Sequence, residues 1–570
     1  MEENIRIWCK NTGEYYQVEP GTDLATVMQM AGCDALAAYV DNQLKELSYP
    51  LYMAHSVEFL DYSHPDGRRC YKRSIYFLLQ KAIKDLYPNK LLILDYTLPN
   101  GGYGEIVDAP SGSNHYESLK IKMESAMELT EEEVARIKVR MQEIVAEDIP
   151  IVKKKLGNSE AVQLFTANRQ FDKARLIKDL GHFFVSVYFI GDYADTFYGP
   201  MLHSTGKIKK FNLIKYNRGF CVQFPSVLPP YGVQTVKYQE RLFNVFKENS
   251  NWCSILGVKD IATVNAAITA GYGKQLIQIA EALHERKYAA IADQIYSRKD
   301  DVKLVLLAGP SSSGKTTTSM RIALQLKVLG LNPVVLAMDN YFVDREQTPK
   351  DENGNYDFEC LGAMDLDLLN TQLNQLFNGE EVEIPTFNFA EGKKEYKGNK
   401  LKMGPNDILI MEGIHALNPA LTSSIESRRK FRIYASALTS LSIDENNSVS
   451  TTDNRMLRRM VRDNNFRRTS AEQTILRWAS VHGGEYKNIF PYQEYADAMF
   501  NSSLIYELPL LKHYAEPLLR RISPTSPAYA ESLRLLKFLS YIVEMNPSEH
   551  HAIPPTSVMR EFIGGSTLDY

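Results

Sequence analysis

The second half of the chain is predicted to be α/β, a doubly wound parallel sheet, on three observations. Residues 302–308, VKLVLLA, form an apolar run of the kind that becomes a strand buried on both faces. The run passes directly into GPSSSGKT at 309–316 and then into a helical pattern ending at Gly330, a capping glycine. Further apolar runs at 333–338 and 408–411 alternate with helical stretches, the pattern of strands joined by crossover helices.

The earlier elements follow in order. Ile5, Ile7 and Cys9 alternate with polar neighbours, as on a half-buried strand. A turn at 11–14 leads to a second strand, YYQVE, and PGTD caps a short helix, LATVMQMAG. Strands near 36–40 and 56–62 complete a small β-grasp. DGRRCYKRSIYFLLQKAIKDLYP is a helix with Ile75, Leu78, Leu79 and Ile83 on its apolar face. LTEEEVARIKVRMQEIVAEDIP carries Thr130 and Glu133 at capping-box spacing. Three helices are predicted over 236–295, where Leu276, Ile279, Ala280 and Leu283 form a packing stripe. Glu281 and Glu285 within it are expected to be solvated. The chain divides at 1–65, 66–225, 226–297, 298–520 and 521–570. The last stretch holds an amphipathic helix and a Pro-rich loop, expected to pack on the preceding domain or on another subunit.

Ligands of doubly wound sheets sit beyond the carboxyl ends of the strands, so the strand ends carry the chemistry. Gly309, Pro310, Ser311, Ser312, Ser313, Gly314, Lys315 and Thr316 have G-x-x-x-x-G-K-T spacing between strand and helix, and Thr317 follows. Glycines let backbone N–H groups approach phosphate oxygens, and the helix N-terminus adds partial positive charge. Lys315 can reach the β- and γ-phosphates of ATP, and the Thr316 hydroxyl can ligate Mg²⁺. The second strand ends in Asp339 and a later one in Glu412. Alone, either could be a cap or an edge charge. Beside a phosphate loop they suit phosphoryl transfer, with Asp339 as base for the attacking hydroxyl and Glu412 near Mg²⁺.

GPSSSGKT, MDNYF, YDFE, IPTFNF, MEGIHALNP and DNRMLRRMVRD together resemble, in that order, the uridine kinase and phosphoribulokinase family, over about 300–510. The resemblance implies ATP- and Mg²⁺-dependent phosphorylation of the 5′-hydroxyl of uridine or cytidine, with another nucleoside or a sugar as the runner-up. By resemblance Asp339 matches the catalytic aspartate, assisted by Lys315, and Asp357 a carboxylate that holds the ribose hydroxyls. Tyr341 and Arg459 fall on the substrate side, and Arg462 and Arg467 match ATP-contacting arginines. Phe387 stands where the family has a tyrosine near the base, and Gly392 where uridine kinases carry a base-contacting histidine, which leaves the acceptor open.

Residues 1–65 resemble the TGS domain, and 66–225 the α+β editing domain, of threonyl-tRNA synthetases, with DTFYGPMLHSTGKIKKFNLIKY closing the latter. In that family the first helix carries H-x-x-x-H and the closing segment C-x-x-x-H. Here those positions are Arg73 and Phe77, and Phe197 and Met201, so no editing activity is expected.

On a 3.6-residue helix Arg455, Arg458, Arg459 and Arg462 share an arc of about 100°, opposite Met456, Leu457, Met460 and Val461. The expectation is a lid presenting four guanidiniums to the phosphates, on a mobile hinge, DENNSVSTTDN.

The net charge of −4 gives no global case for nucleic acid or a membrane surface. Six cysteines without a C-x-x-C pair fit a reducing compartment and argue against structural zinc. The polar start, MEENIRIWCK, does not read as a signal peptide, and no apolar run approaches the ~20 residues that span a bilayer. A cytoplasmic location and no membrane partner are expected. RNA contact through the first half and homo-oligomerisation stay open, and an ATP-switched RNA- or ribosome-associated regulator is the rival class.

Overall fold

The computed structural model describes residues 4–98, 101–109, 125–234, 238–258, 260–350, 354, 356–388, 391–439, 441–444 and 446–568. Its C-terminal half is built on five parallel strands, in the spatial order Asn332–Ala337, Asp407–Glu412, Leu304–Ala308, Lys430–Ser436, Ala498–Asn501. The central strand is buried at every position. Alternation along it explains why the run is apolar throughout: Leu304 and Leu306 enter one core with Leu409 and Met411, while Val305 and Leu307 enter another with Ile408 and Ile410. Helix Leu366–Phe377 packs on the first face. Helices Gly273–Tyr296 and Lys315–Val328 pack on the second.

The N-terminal half begins with a five-stranded sheet ordered Glu14–Val18, Ile5–Cys9, His55–Leu60, Ala37–Val40, Gln43–Lys45, with helix Leu24–Met30 capped by Asp23. Helices Pro65–Leu86 and Glu131–Ala146 follow, the second opened by the Thr130–Glu133 capping box. They pack with a four-stranded sheet and with the three-stranded sheet Ile151–Gly157, Phe184–Ile190, Tyr193–Asp195. Phe77, Phe197 and Met201 lie in the core of this region, with the two phenyl rings 5.3 Å apart. Arg73 donates to the Pro200 carbonyl at 2.8 Å. Packing thus fills the positions where a hydrolytic cluster would stand.

A single apolar core joins three stretches distant in sequence. Ile261, Val264 and Ile277 of the bridging helices meet Met456, Leu457, Met460 and Val461 of helix Thr451–Phe466, and Leu535, Phe538, Val558, Met559 and Phe562 of the C-terminal stretch. Glu281, expected to be solvated, is instead buried within it, accepting hydrogen bonds from Tyr506 and Ser557, both at 2.6 Å. Periodicity marks the stripe as packing but cannot show that Tyr506 and, from the tail, Ser557 supply these hydroxyls. Glu285 remains largely exposed, beside Arg321. Among the described residues, no helix is long and apolar enough to cross a membrane.

Candidate functional site

The phosphate loop leaves the central strand at Gly309 and enters helix Lys315–Val328 at Gly314. Two glycines are required there. A Cβ on Gly309 would lie 2.0 Å from the Ala435 carbonyl oxygen, and Gly314 has φ +77°, a left-handed conformation that other residues adopt only at a cost. Lys315 Nζ donates to the carbonyls of Gly309 and Pro310 at 3.0 and 3.3 Å. The Ser312 and Ser313 hydroxyls are buried and, among the described residues, without hydrogen-bond partners, polar groups suited to an anion in the loop.

Parallel pairing sets Ala337 beside Glu412, and Glu412 beside Leu307, so the ends of three strands adjoin. Asp339 follows the first in a short turn, Met338–Tyr341, and Glu412 ends the second. Thr316 Oγ1 donates to Glu412 Oε1 at 2.7 Å. Burial pushes the carboxyls of Asp339 and Glu412 up, opposed in both by the Lys315 ammonium. Burial also lowers the Lys315 pKa, against the pull of Glu412, Glu561 and Asp339. Two hard oxygens on one edge, beside a phosphate loop, fit Mg²⁺, so Thr316 and Glu412 are the residues that would hold it.

Helix Thr451–Phe466 departs from the expected lid. Arg455 and Arg458 are fully buried, in ion pairs with Glu485 and Glu507. The helix is held further at Asp453, bonded at 2.7 Å to Arg534, which also bonds Glu531, itself 2.6 Å from Arg69. Two guanidiniums are therefore structural. Helical geometry placed them on one arc but could not reveal the carboxylates waiting for them. Arg459, Arg462 and Arg467 remain toward the cleft and converge on buried Asp463, with Arg459 also donating to Ser311 Oγ at 2.8 Å.

The expected hinge is likewise packed. Asn446 donates to the Leu92 carbonyl at 2.8 Å, Asn447 to that of Thr196 at 3.3 Å, and Asp444 lies 3.8 Å from buried Lys173, which pairs with Asp195. The polar run is an interface with the N-terminal half.

On the acceptor side, Tyr341 does not reach the cleft as expected. It is fully buried and donates to Gln372 at 2.8 Å, so it braces the turn that carries Asp339. Phe387 is half-buried, 5.6 Å from Phe342. Asp357 accepts from the Glu359 N–H at 3.1 Å. Arg345 covers Gly392, where a Cβ would lie 2.6 Å from its Nε. Two groups were missed from sequence. Burial, then the charge of Glu485, pushes the Glu359 carboxyl to about 7, while burial depresses His415 to about 4. Both lie inside quoted motifs, YDFE and MEGIHALNP, but nothing in their spacing marked them.

Known proteins resemble two parts of the chain. Residues 304–505 match the model of the Phosphoribulokinase / Uridine kinase family, and this segment is a domain of that family. The N-terminal part is similar to threonine–tRNA ligases. The Aquifex aeolicus protein is 28% identical over 213 residues, 37% of this chain and 31% of that one. The Pelobacter propionicus protein is 30% identical over 207 residues, 35% of this chain and 30% of that one. The chain thus spans under a third of the length of these curated relatives. A solved structure described as a possible uridine kinase from Bacillus stearothermophilus is 18% identical, covering 38% of this chain and 98% of that one, with a TM-score of 0.26.

Proposed function

We propose that the phosphate-loop domain transfers a phosphoryl group from ATP to the hydroxyl of a small molecule, in the first reading the 5′-hydroxyl of uridine or cytidine. The observation that carries this reading is the convergence of Lys315, Thr316, Asp339 and Glu412 at adjoining strand ends. Loop amides and Lys315 hold the phosphates, and Asp339 accepts the proton of the attacking hydroxyl. Arg459, Arg462 and Arg467 offset the charge that develops on the transferring group. Thr316 and Glu412 would hold Mg²⁺, which would supply charge neutralisation of the phosphates. Asp357 and Phe387 line the acceptor side, and Tyr341 supports it from behind.

The first half offers the reaction no group in this reading. Lys173, paired with Asp195 and 3.8 Å from Asp444, and Arg69, paired with Glu531, give it a packing role against the loop before helix Thr451–Phe466 and against helix Tyr529–Leu539. A second reading, an acceptor other than a pyrimidine nucleoside, is favoured by the Arg345 guanidinium over Gly392. Purified chain with ATP, Mg²⁺ and a panel of nucleosides and sugars tests both. ADP formed with uridine or cytidine supports the first and ADP formed only with another acceptor the second. ADP formed only with RNA refutes both in favour of a regulator.

A further inference from the structure

Beyond helix Tyr529–Leu539 the chain turns back over the phosphate loop. Arg321 Nη1 donates to the Thr556 carbonyl at 2.6 Å, and Ser557 donates to Glu281 at 2.6 Å. Val558 presses on Gly314, whose added Cβ would fall 2.4 Å from Val558 Cγ2. Met559 and Phe562 anchor the segment in the core it shares with helix Thr451–Phe466. Between these anchors, Glu561 Oε2 accepts from Thr317 Oγ1 at 2.7 Å and lies 3.4 Å from the Thr317 nitrogen. Thr317 is completely covered.

An N–H and a hydroxyl in the first turn of a phosphate-loop helix are donors suited to an anion. Here a carboxylate of the same chain takes them. Lys315 is meanwhile turned onto the loop's own carbonyls. We propose that Glu561 is a built-in occupant of the donor nucleotide's phosphate site, and that the C-terminal segment holds the loop closed until Glu561 leaves Thr317. The inference rests on the reading that this loop receives a nucleoside triphosphate.

A phosphate and a carboxylate cannot share the same two donors without strong repulsion. The Glu561–Thr317 contact and nucleotide at Thr317 are therefore mutually exclusive, and whatever draws the segment away raises nucleotide affinity by the same factor. Glu561 is half-buried on a short helix whose Val558, Met559 and Phe562 neighbours are fully buried, so its departure from Thr317 loosens the segment that those anchors hold.

The test is ATP binding by calorimetry, without acceptor, for the full chain and for Glu561→Gln and Glu561→Ala. Removing a charge-assisted competitor should tighten binding about tenfold or more. In the unaltered chain, saturating ATP should also speed hydrogen exchange over 553–565. Unchanged or weaker binding in both variants, with unchanged melting temperatures, overturns the proposal. If a variant melts early, exchange in the unaltered chain decides, and no acceleration over 553–565 overturns it. Because binding is read without turnover, a chain that binds ATP, responds to Glu561→Gln and phosphorylates nothing refutes the kinase reading alone. Absence of ATP binding in all three proteins refutes both.

Discussion

Glu485 is the buried carboxylate on which the phosphate loop leans. It accepts from the Ser311 N–H at 3.0 Å, from Arg455 Nη2 at 2.7 Å, and lies 3.1 Å from His482 Nδ1, with both Glu485 and Arg455 about 1% exposed. Burial alone would raise its pKa; the Arg455 guanidinium overrides this and, with His482, holds it at about 2. The fall from 4.5 to about 2 is worth on the order of 3 kcal/mol. Because the folded value is depressed, that stability is present above pH 4.5 and disappears as pH falls toward 2. Glu485→Ala leaves Arg455 buried and unpaired, with an expected loss of roughly 3–5 kcal/mol at pH 7. The double variant Arg455→Met/Glu485→Leu removes both charges and should regain most of that loss. It does not restore the anchor on Ser311, so ATP affinity should stay weakened. Urea unfolding followed by the fluorescence of Trp478, whose ring lies 5.6 Å from the Arg455 guanidinium, reads the first quantity, and calorimetry the second. A double variant as unstable as Glu485→Ala would refute the orphaned-charge argument. Recovery of ATP affinity together with stability would refute the anchoring role.

Two further outcomes are expected. Thr316→Ala removes one of two hard oxygens on the cleft edge and should raise the Mg²⁺ needed for half-maximal ADP formation about ten- to a hundredfold, while metal-free ATP binding changes little; an unchanged Mg²⁺ requirement would place the metal elsewhere. Lys173→Met leaves Asp195 and Asp444 facing each other in the interface between halves, with an expected loss of roughly 3–5 kcal/mol. Burial has raised the Asp195 carboxyl to about 6, so its ionisation costs stability as pH rises through that value. The loss in Lys173→Met should therefore be larger at pH 8 than at pH 5, and thermal melting with equal losses at both would count against the assignment.

What could be read from the sequence was what is local. VKLVLLA followed by GPSSSGKT specifies a buried strand, a tight glycine turn and a helix start within fifteen residues, because each depends only on neighbours in the chain. The Thr130–Glu133 capping box was legible for the same reason. What failed depends on partners hundreds of positions away. Arg455 and Arg458 looked like cleft-facing charges until Glu485 and Glu507 came to meet them. The run at 444–454 looked like a hinge because its polar residues suit water equally well, and only folding supplies Leu92, Thr196 and Lys173 as partners. Tyr341 sits in a motif at the strand end, yet one turn of backbone aims it inward at Gln372. Glu561, on the last short helix, carried no signal at all, since nothing near it in sequence announces that its target is Thr317.

We propose that the phosphate-loop domain carries a phosphoryl-transfer centre with Asp339 as its base. Its most direct test is steady-state ADP formation by Asp339→Asn beside calorimetric ATP binding, with the acceptor identified from the panel. With Asp339 as base, kcat should fall by about 10²–10⁴-fold while ATP affinity stays nearly unchanged. The fall in rate at acid pH, to which the raised Asp339 and Glu412 carboxyls both contribute, should weaken in the variant to the Glu412 part alone. Unchanged kcat, or the same acid limb in both proteins, would contradict it.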